Sequence, residues 1–194
     1  MSNIIIFIVA FALTALFGPI YIPLLRKLKI GQTVRNNGPK THLAKNGIPT
    51  IGGLIFLTPI SLICLYLFFT GLSPQIIPML FITLAFGLVG FWDDFIKVVK
   101  KRKDGLYWYQ KLAALVVIAI IFSYYISEMG GTGTLINIAL FGWKTDLDLG
   151  WFFIPFTVIV LLGTANGVNF SDGIDGLCSS VTFIVLMFFA AVSI

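Results

Sequence analysis

Phe81-Ile82-Thr83-Leu84-Ala85-Phe86-Gly87-Leu88-Val89-Gly90-Phe91-Trp92-Asp93-Asp94 is an uncharged apolar run that ends in two adjacent carboxylates. The run starts upstream, at Ile76, and its length and composition predict a helix that crosses a membrane. A carboxylate facing lipid costs about 2.5–3.5 kcal/mol at a helix centre. Asp93 and Asp94 lie about 100° apart around a helix, so they are not both lipid-facing accidents. Two readings follow. The pair marks a helix end dipping into the headgroups with Lys97 as its i+3/i+4 partner, or it is a site for a hard cation or proton transfer. The order is Asp-Asp-x-x-Lys, unlike the Asp-Asp-x-x-Asp of soluble prenyl-chain synthases.

Composition extends that reading to the whole chain. Of 194 residues, 58% are hydrophobic and 11% charged, against about 25% charged in soluble domains. Mean hydropathy is +1.01. A soluble globular enzyme, a nucleic-acid-binding domain and a disordered tail are excluded despite the net charge of +5. The fold class expected is an all-α polytopic membrane protein with a single transmembrane domain over 1–194. Six spans are predicted, near residues 4–25, 51–70, 76–91, 112–127, 147–163 and 177–194. The first is not a cleavable signal, because Met1-Ser2-Asn3 has no basic residue and the apolar run is too long.

Loop charges set the orientation. Arg26, Lys27, Lys29, Arg35, Lys40 and Lys45 fall between spans one and two, and Lys97, Lys100, Lys101, Arg102, Lys103 and Lys111 between three and four. Lys144 alone falls elsewhere. The positive-inside rule makes these two loops, and the loop between spans five and six, cytoplasmic, with the N-terminus outside. The external loop predicts a short β-hairpin from Thr134–Ala139 and Lys144–Leu149 around Leu140-Phe141-Gly142-Trp143. Asp146-x-Asp148-x-Gly150 lacks calcium-loop spacing. Gly130-Gly131-Thr132-Gly133 lacks the Lys-Ser/Thr of a P-loop. Cys64 and Cys178 read as small core hydrophobes.

A second acidic segment, Asn169-Phe170-Ser171-Asp172-Gly173-Ile174-Asp175-Gly176-Leu177, separates spans five and six. On a helical turn Asp172 and Asp175 share a face; either also suits the N-cap of the next helix. The sequon at Asn169 falls on the wrong side of the membrane for glycosylation. The charge-derived topology puts both acidic segments at the same face. Gly38-Pro39-Lys40-Thr41-His42-Leu43-Ala44-Lys45-Asn46-Gly47-Ile48-Pro49-Thr50-Ile51-Gly52-Gly53 alternates turn residues with cations just before span two. Lys45 and Thr50 offer a charge and a hydroxyl to an anionic headgroup. His42 is the only histidine; alone, it is more often a structural hydrogen-bonder than a catalyst. Acids, lysines and glycine turns on one face suggest phosphate chemistry aided by a divalent ion.

These segments, with Gly31-Gln32-Thr33-Val34-Arg35 and Gln110-Lys111-Leu112, resemble the polyprenyl-phosphate N-acetylhexosamine-1-phosphate transferases. Gly90-Phe91-Trp92-Asp93-Asp94-Phe95-Ile96-Lys97 is similar to their aspartate pair, and Asn166 to Leu177 to their Asn-x-x-Asp-Gly-x-Asp-Gly-Leu segment. The Gly38 to Gly53 order is closest to the peptidoglycan branch of the family. Ile48 stands in place of threonine, Ile51 in place of methionine, and Phe170-Ser171 in place of Leu-Thr. Family members have about ten spans and carry a further aspartate and a histidine motif that nothing here matches. An incomplete sequence, inactive by itself, is therefore expected.

The resemblance implies transfer of a phospho-sugar from a UDP-linked donor to undecaprenyl phosphate with Mg2+, in a bacterial cytoplasmic membrane, by a homodimer. It implies that Asp93 deprotonates the lipid phosphate, that Asp94 orients that group or holds magnesium, and that Asn169 and Asp172 line the metal and diphosphate site. Lys111 contacts phosphate; Lys45, Thr50, Gly173, Ile174 and Asp175, with His42 beside them, form the substrate side. A UDP-N-acetylglucosamine transferase for a surface polymer is the alternative donor class. An ion-coupled transporter is the alternative of another kind, but it expects acids in mid-span and repeated spans.

Overall fold

The computed structural model describes residues 3–28, 49–73, 75–100, 105–131, 133–140, 143–173 and 176–192. Six apolar helices and one hairpin account for nearly all of them: α1 (Asn3–Lys27), α2 (Leu54–Phe69), α3 (Ile76–Val99), α4 (Trp108–Glu128), β1 (Leu135–Leu140), β2 (Trp143–Asp148), α5 (Phe153–Ser171) and α6 (Leu177–Val192). The protein is a polytopic all-α membrane protein. α1, α3 and α4 are long and apolar enough to cross a bilayer, and so is α5 with the 3-10 turn before it. α2 and α6 have 16 residues each, about 24 Å of helix against a hydrocarbon core of about 30 Å. Six apolar segments are thus present where six spans were expected, but four of them reach crossing length among the described residues. Large apolar side chains such as Phe7, Phe11, Leu88 and Ile159 are exposed, the outward pattern that lipid satisfies.

Helix ends do not coincide with the ends of the apolar runs at the charged boundaries. α3 continues through Asp93 and Asp94 to Val99, α4 starts at Trp108, and α5 runs from Phe153 to Ser171. An apolar run underestimates a helix whose last turns leave the hydrocarbon, because backbone hydrogen bonding continues where hydropathy stops.

Residues 1–115 form one compact unit and 116–194 another, the boundary falling inside α4. In the first, α1 packs on α2 and α2 on α3. The Tyr21 hydroxyl lies 3.0 Å from Thr58 Oγ1 and ties α1 to α2. Gly87 lets Leu57 approach α3, since a Cβ there would stand 3.0 Å from Leu57 Cδ1. Leu25, Pro59, Leu67, Leu80 and Ile82 are buried.

In the second unit, β1 and β2 pair antiparallel from Leu135↔Asp148 to Leu140↔Trp143, within a residue of the strands predicted. Asn137 donates across the strands to Asp146. The Thr134 hydroxyl and the Gly150 N–H both donate to Asp148 Oδ1. Those donors, the hydroxyl foremost, hold the Asp148 carboxyl below its usual range. A short 3-10 turn, Gly150–Phe152, leads into α5.

Candidate active site

Among the described residues of the first unit, the densest polar cluster lies two turns before the end of α3. Consecutive helical positions separate the Asp93 and Asp94 side chains, and Lys97, one turn on, reaches back to both. Its Nζ stands 2.8 Å from Asp93 Oδ2 and 3.0 Å from Asp94 Oδ1. The ammonium cancels one of two negative charges, which allows the helix to carry them at a membrane boundary.

The two carboxylates differ in surroundings. Asp93 is buried, at 8% exposure, and its other oxygen, Oδ1, accepts the backbone N–H of Leu106 at 2.8 Å. Asp94 is half-buried, with a side chain 32% exposed, and its Oδ2 accepts the Thr50 hydroxyl at 3.1 Å. Thr50 comes from the segment before α2, 44 residues away in sequence. The next residue, Ile51, is buried and has φ 64°, a left-handed conformation that a β-branched residue adopts only under strain. Such strain costs about 1–3 kcal/mol and gathers where a site is held in place by its surroundings. At Ile51 it turns the chain from Thr50 into the Gly52-Gly53 start of α2, whose first helical bonds return to Ile51 O, Gly52 O and Gly53 O.

Thr50, Asp93 and Asp94 are therefore brought together, and Lys111 sits in the same unit. It is half-buried on the first turn of α4, its N–H bonded to Tyr107 O at 3.1 Å. Lys97 was visible in the sequence only as a salt-bridge partner, and its spacing was the signal. Gly105, Leu106 and the strain at Ile51 carry no sequence signal, because close approach across the α3–α4 connection is a tertiary event.

The other expected residues lie in the second unit or outside the described residues. Asn169 is on the last turn of α5. Asp172 is not an N-cap: it follows α5 as its C-cap residue, with its N–H on Val168 O at 3.2 Å, because the helix extends further than the apolar run. Asp172 and Gly173 are exposed. Gly176, with φ 82°, makes the turn into α6. A carboxylate at a helix C-terminus faces the negative end of the helix dipole, a cost of about 0.3–1 kcal/mol that a bound cation would offset. His42, Lys45, Ile174 and Asp175 lie outside the described residues. Among the described residues, no three His, Cys, Asp or Glu side chains cluster as a ready-made metal cage.

The chain is 48% identical over 191 residues to the phospho-N-acetylmuramoyl-pentapeptide-transferase of Acetivibrio thermocellus, covering 98% of this chain and 57% of that protein. The protein of the same name from Thermoanaerobacter sp. strain X514 is 46% identical over 182 residues, 94% of this chain and 56% of the relative. That of Clostridium botulinum strain Eklund 17B is 43% identical over 185 residues, 95% of this chain and 56% of the relative. The chain thus spans a little over half the length of these curated relatives. The sequence profile described as glycosyl transferase family 4 matches residues 76–194, a stretch that starts with α3 and takes in both acidic segments. A match over more than half of the chain that contains its scarce carboxylates is no local coincidence, and this chain belongs to glycosyl transferase family 4.

Proposed function

We propose that the protein transfers phospho-N-acetylmuramoyl-pentapeptide from its UDP donor to undecaprenyl phosphate, giving the first lipid-linked peptidoglycan intermediate and UMP. One observation carries this reading: identity of 42–48% along nearly the whole chain to relatives that share that transferase name. The site lies on the cytoplasmic face of a bacterial inner membrane, with the N-terminus outside, a reading that the basic loops support. The assembly is a homodimer.

Asp93 takes the proton from the lipid phosphate, and its Oδ2, shared with Lys97, is the oxygen that meets it. Lys97 releases Asp93 toward the incoming phosphate and shields the new negative charge. Lys111 holds phosphate, and Thr50 keeps Asp94 in one orientation through its hydroxyl. Asn169, Asp172 and Gly173 serve the diphosphate and nucleoside side, joined there by Lys45, Ile174, Asp175 and His42. Magnesium is commonly held by one or two carboxylates together with substrate phosphates, and the half-exposed Asp94 and the exposed Asp172 suit that mode. When bound, the ion would draw charge off the diphosphate.

Membranes containing the full-length protein, supplied with undecaprenyl phosphate and a labelled UDP-linked donor, provide the test. UMP release and lipid-linked product are expected with UDP-N-acetylmuramoyl-pentapeptide and not with UDP-N-acetylglucosamine. The reverse pattern would replace this reading with a surface-polymer transferase.

A further inference from the structure

The connection between α3 and α4 returns to the site through a contact that only glycine permits. Leu106 N–H donates to Asp93 Oδ1 across 13 residues of sequence. To do so, the chain passes over Asp93 at Gly105. A Cβ built on Gly105 would collide with Asp93 Oδ1, and would stand 2.5 Å from the Asp93 carbonyl oxygen and 2.8 Å from Cγ. Gly105 is not among the glycines with positive φ, so its backbone alone would accept alanine. Space is what forbids it. Rotation of the Asp93 side chain would not relieve the clash, because the carbonyl belongs to the helix itself.

We propose that Gly105 is a positioning residue for the transfer reaction. Lacking a side chain, it lets the Leu106 amide close on Asp93 Oδ1, fixing the carboxylate in one rotamer. The inference rests on the reading of Asp93 as proton acceptor. With Oδ1 held by a backbone donor, Oδ2 is the oxygen left to exchange Lys97 for substrate. The same closure fixes where α4 begins, and Lys111 lies on its first turn. One backbone contact thereby sets two groups of the site. A side chain at 105 pushes the segment away from α3, removes the Leu106 donor and leaves a buried carboxylate oxygen without it. Misplacement of a reacting group by about 1 Å costs on the order of 10²-fold in rate.

Gly105→Ala in the full-length protein, in membranes, is the test variant. Turnover per nucleotide-binding site is expected to fall by about 10- to 100-fold, with the donor KM within a few-fold of wild type. A purely structural glycine would lower the number of binding sites and leave turnover per site normal, and that result would overturn the proposal. Amide hydrogen exchange at Leu106 in the unsubstituted protein keeps the question open to refutation should the variant not fold. Slow exchange is expected; exchange at the rate of an open loop would overturn the contact itself. Asp93→Asn, assayed in parallel, separates the two claims. Normal turnover in Asp93→Asn removes the proton-acceptor reading and this inference with it. An inactive Asp93→Asn beside a normal Gly105→Ala removes this inference alone.

Discussion

The two acidic segments of this chain use the same residue under opposite conditions. Asp93 and Asp94 sit inside a helix, where every carboxylate oxygen has a donor: the Lys97 ammonium, the Thr50 hydroxyl or the Leu106 amide. Asp172 sits just past a helix, exposed and set against the dipole's negative end. The first pair is organised before any substrate arrives. In the second segment, the Asp172 carboxylate has no hydrogen bond or ion pair among the described residues. Preorganised groups suit the step in which charge moves, whereas an exposed acid followed by a glycine suits a ligand that supplies its own partners. In the proposed function, that contrast suits proton transfer at the Asp93 end and diphosphate or metal contact at the Asp172 end.

The contrast can be broken by substitution. After Asp93→Asn, the largest effect is expected from Asp94→Asn, which keeps the Thr50 contact but loses the charge. A fall of about 10²-fold or more in transfer is expected, with a raised magnesium requirement measured by titration. Asp172→Asn should raise the magnesium requirement and the donor KM more than it lowers turnover. Equal kinetic profiles for the two variants would erase the distinction between the segments.

Lys97→Met comes next. It leaves two adjacent carboxylates on one helix without their shared counter-charge. A buried pair broken on one side costs about 3–5 kcal/mol; with Lys97 36% exposed, about 1–3 kcal/mol is the expected loss. Thermal unfolding in detergent reads it, and Lys97→Arg should restore most of the difference. Thr50→Val removes one hydrogen bond to a charged acceptor, a loss of about 1.5–3 kcal/mol at most. It should appear as lower turnover together with a melting temperature lowered by a few degrees.

The smallest effect belongs to the hairpin. Asp148 has its folded pKa depressed by the Thr134 hydroxyl and the Gly150 amide. Its contribution is therefore present above the unfolded carboxylate value, near 3.9, and is lost as pH falls through the lower folded value. Amide exchange across β1 and β2 should accelerate only in that acidic window, and Asp148→Asn should flatten the response. Transfer should be unaffected.

Much of this organisation is legible in the sequence, and the illegible part has a physical pattern. Among the described residues, the six apolar helices and the hairpin follow from hydropathy and turn residues, because burial in lipid is a local property of a segment. The ends of α3 and α5 do not follow, since each helix continues beyond its apolar run through Asp93-Asp94 or Asn169. Lys97 was readable as a partner because i+3/i+4 geometry is local. The donors Thr50 and Leu106 come from 44 and 13 residues away, and no periodicity encodes such contacts. The same holds for Ile51, whose strained φ appears only once Thr50 must reach Asp94 while Gly52-Gly53 begins α2.

Asp93→Asn in the full-length protein tests the central claim most directly. Asparagine keeps an oxygen for the Leu106 amide but cannot accept a proton from a phosphate. Transfer of the labelled phospho-sugar to undecaprenyl phosphate should fall by about 10²–10⁴-fold, while nucleotide binding and expression stay at wild-type levels. Near-normal turnover in that variant would contradict the account.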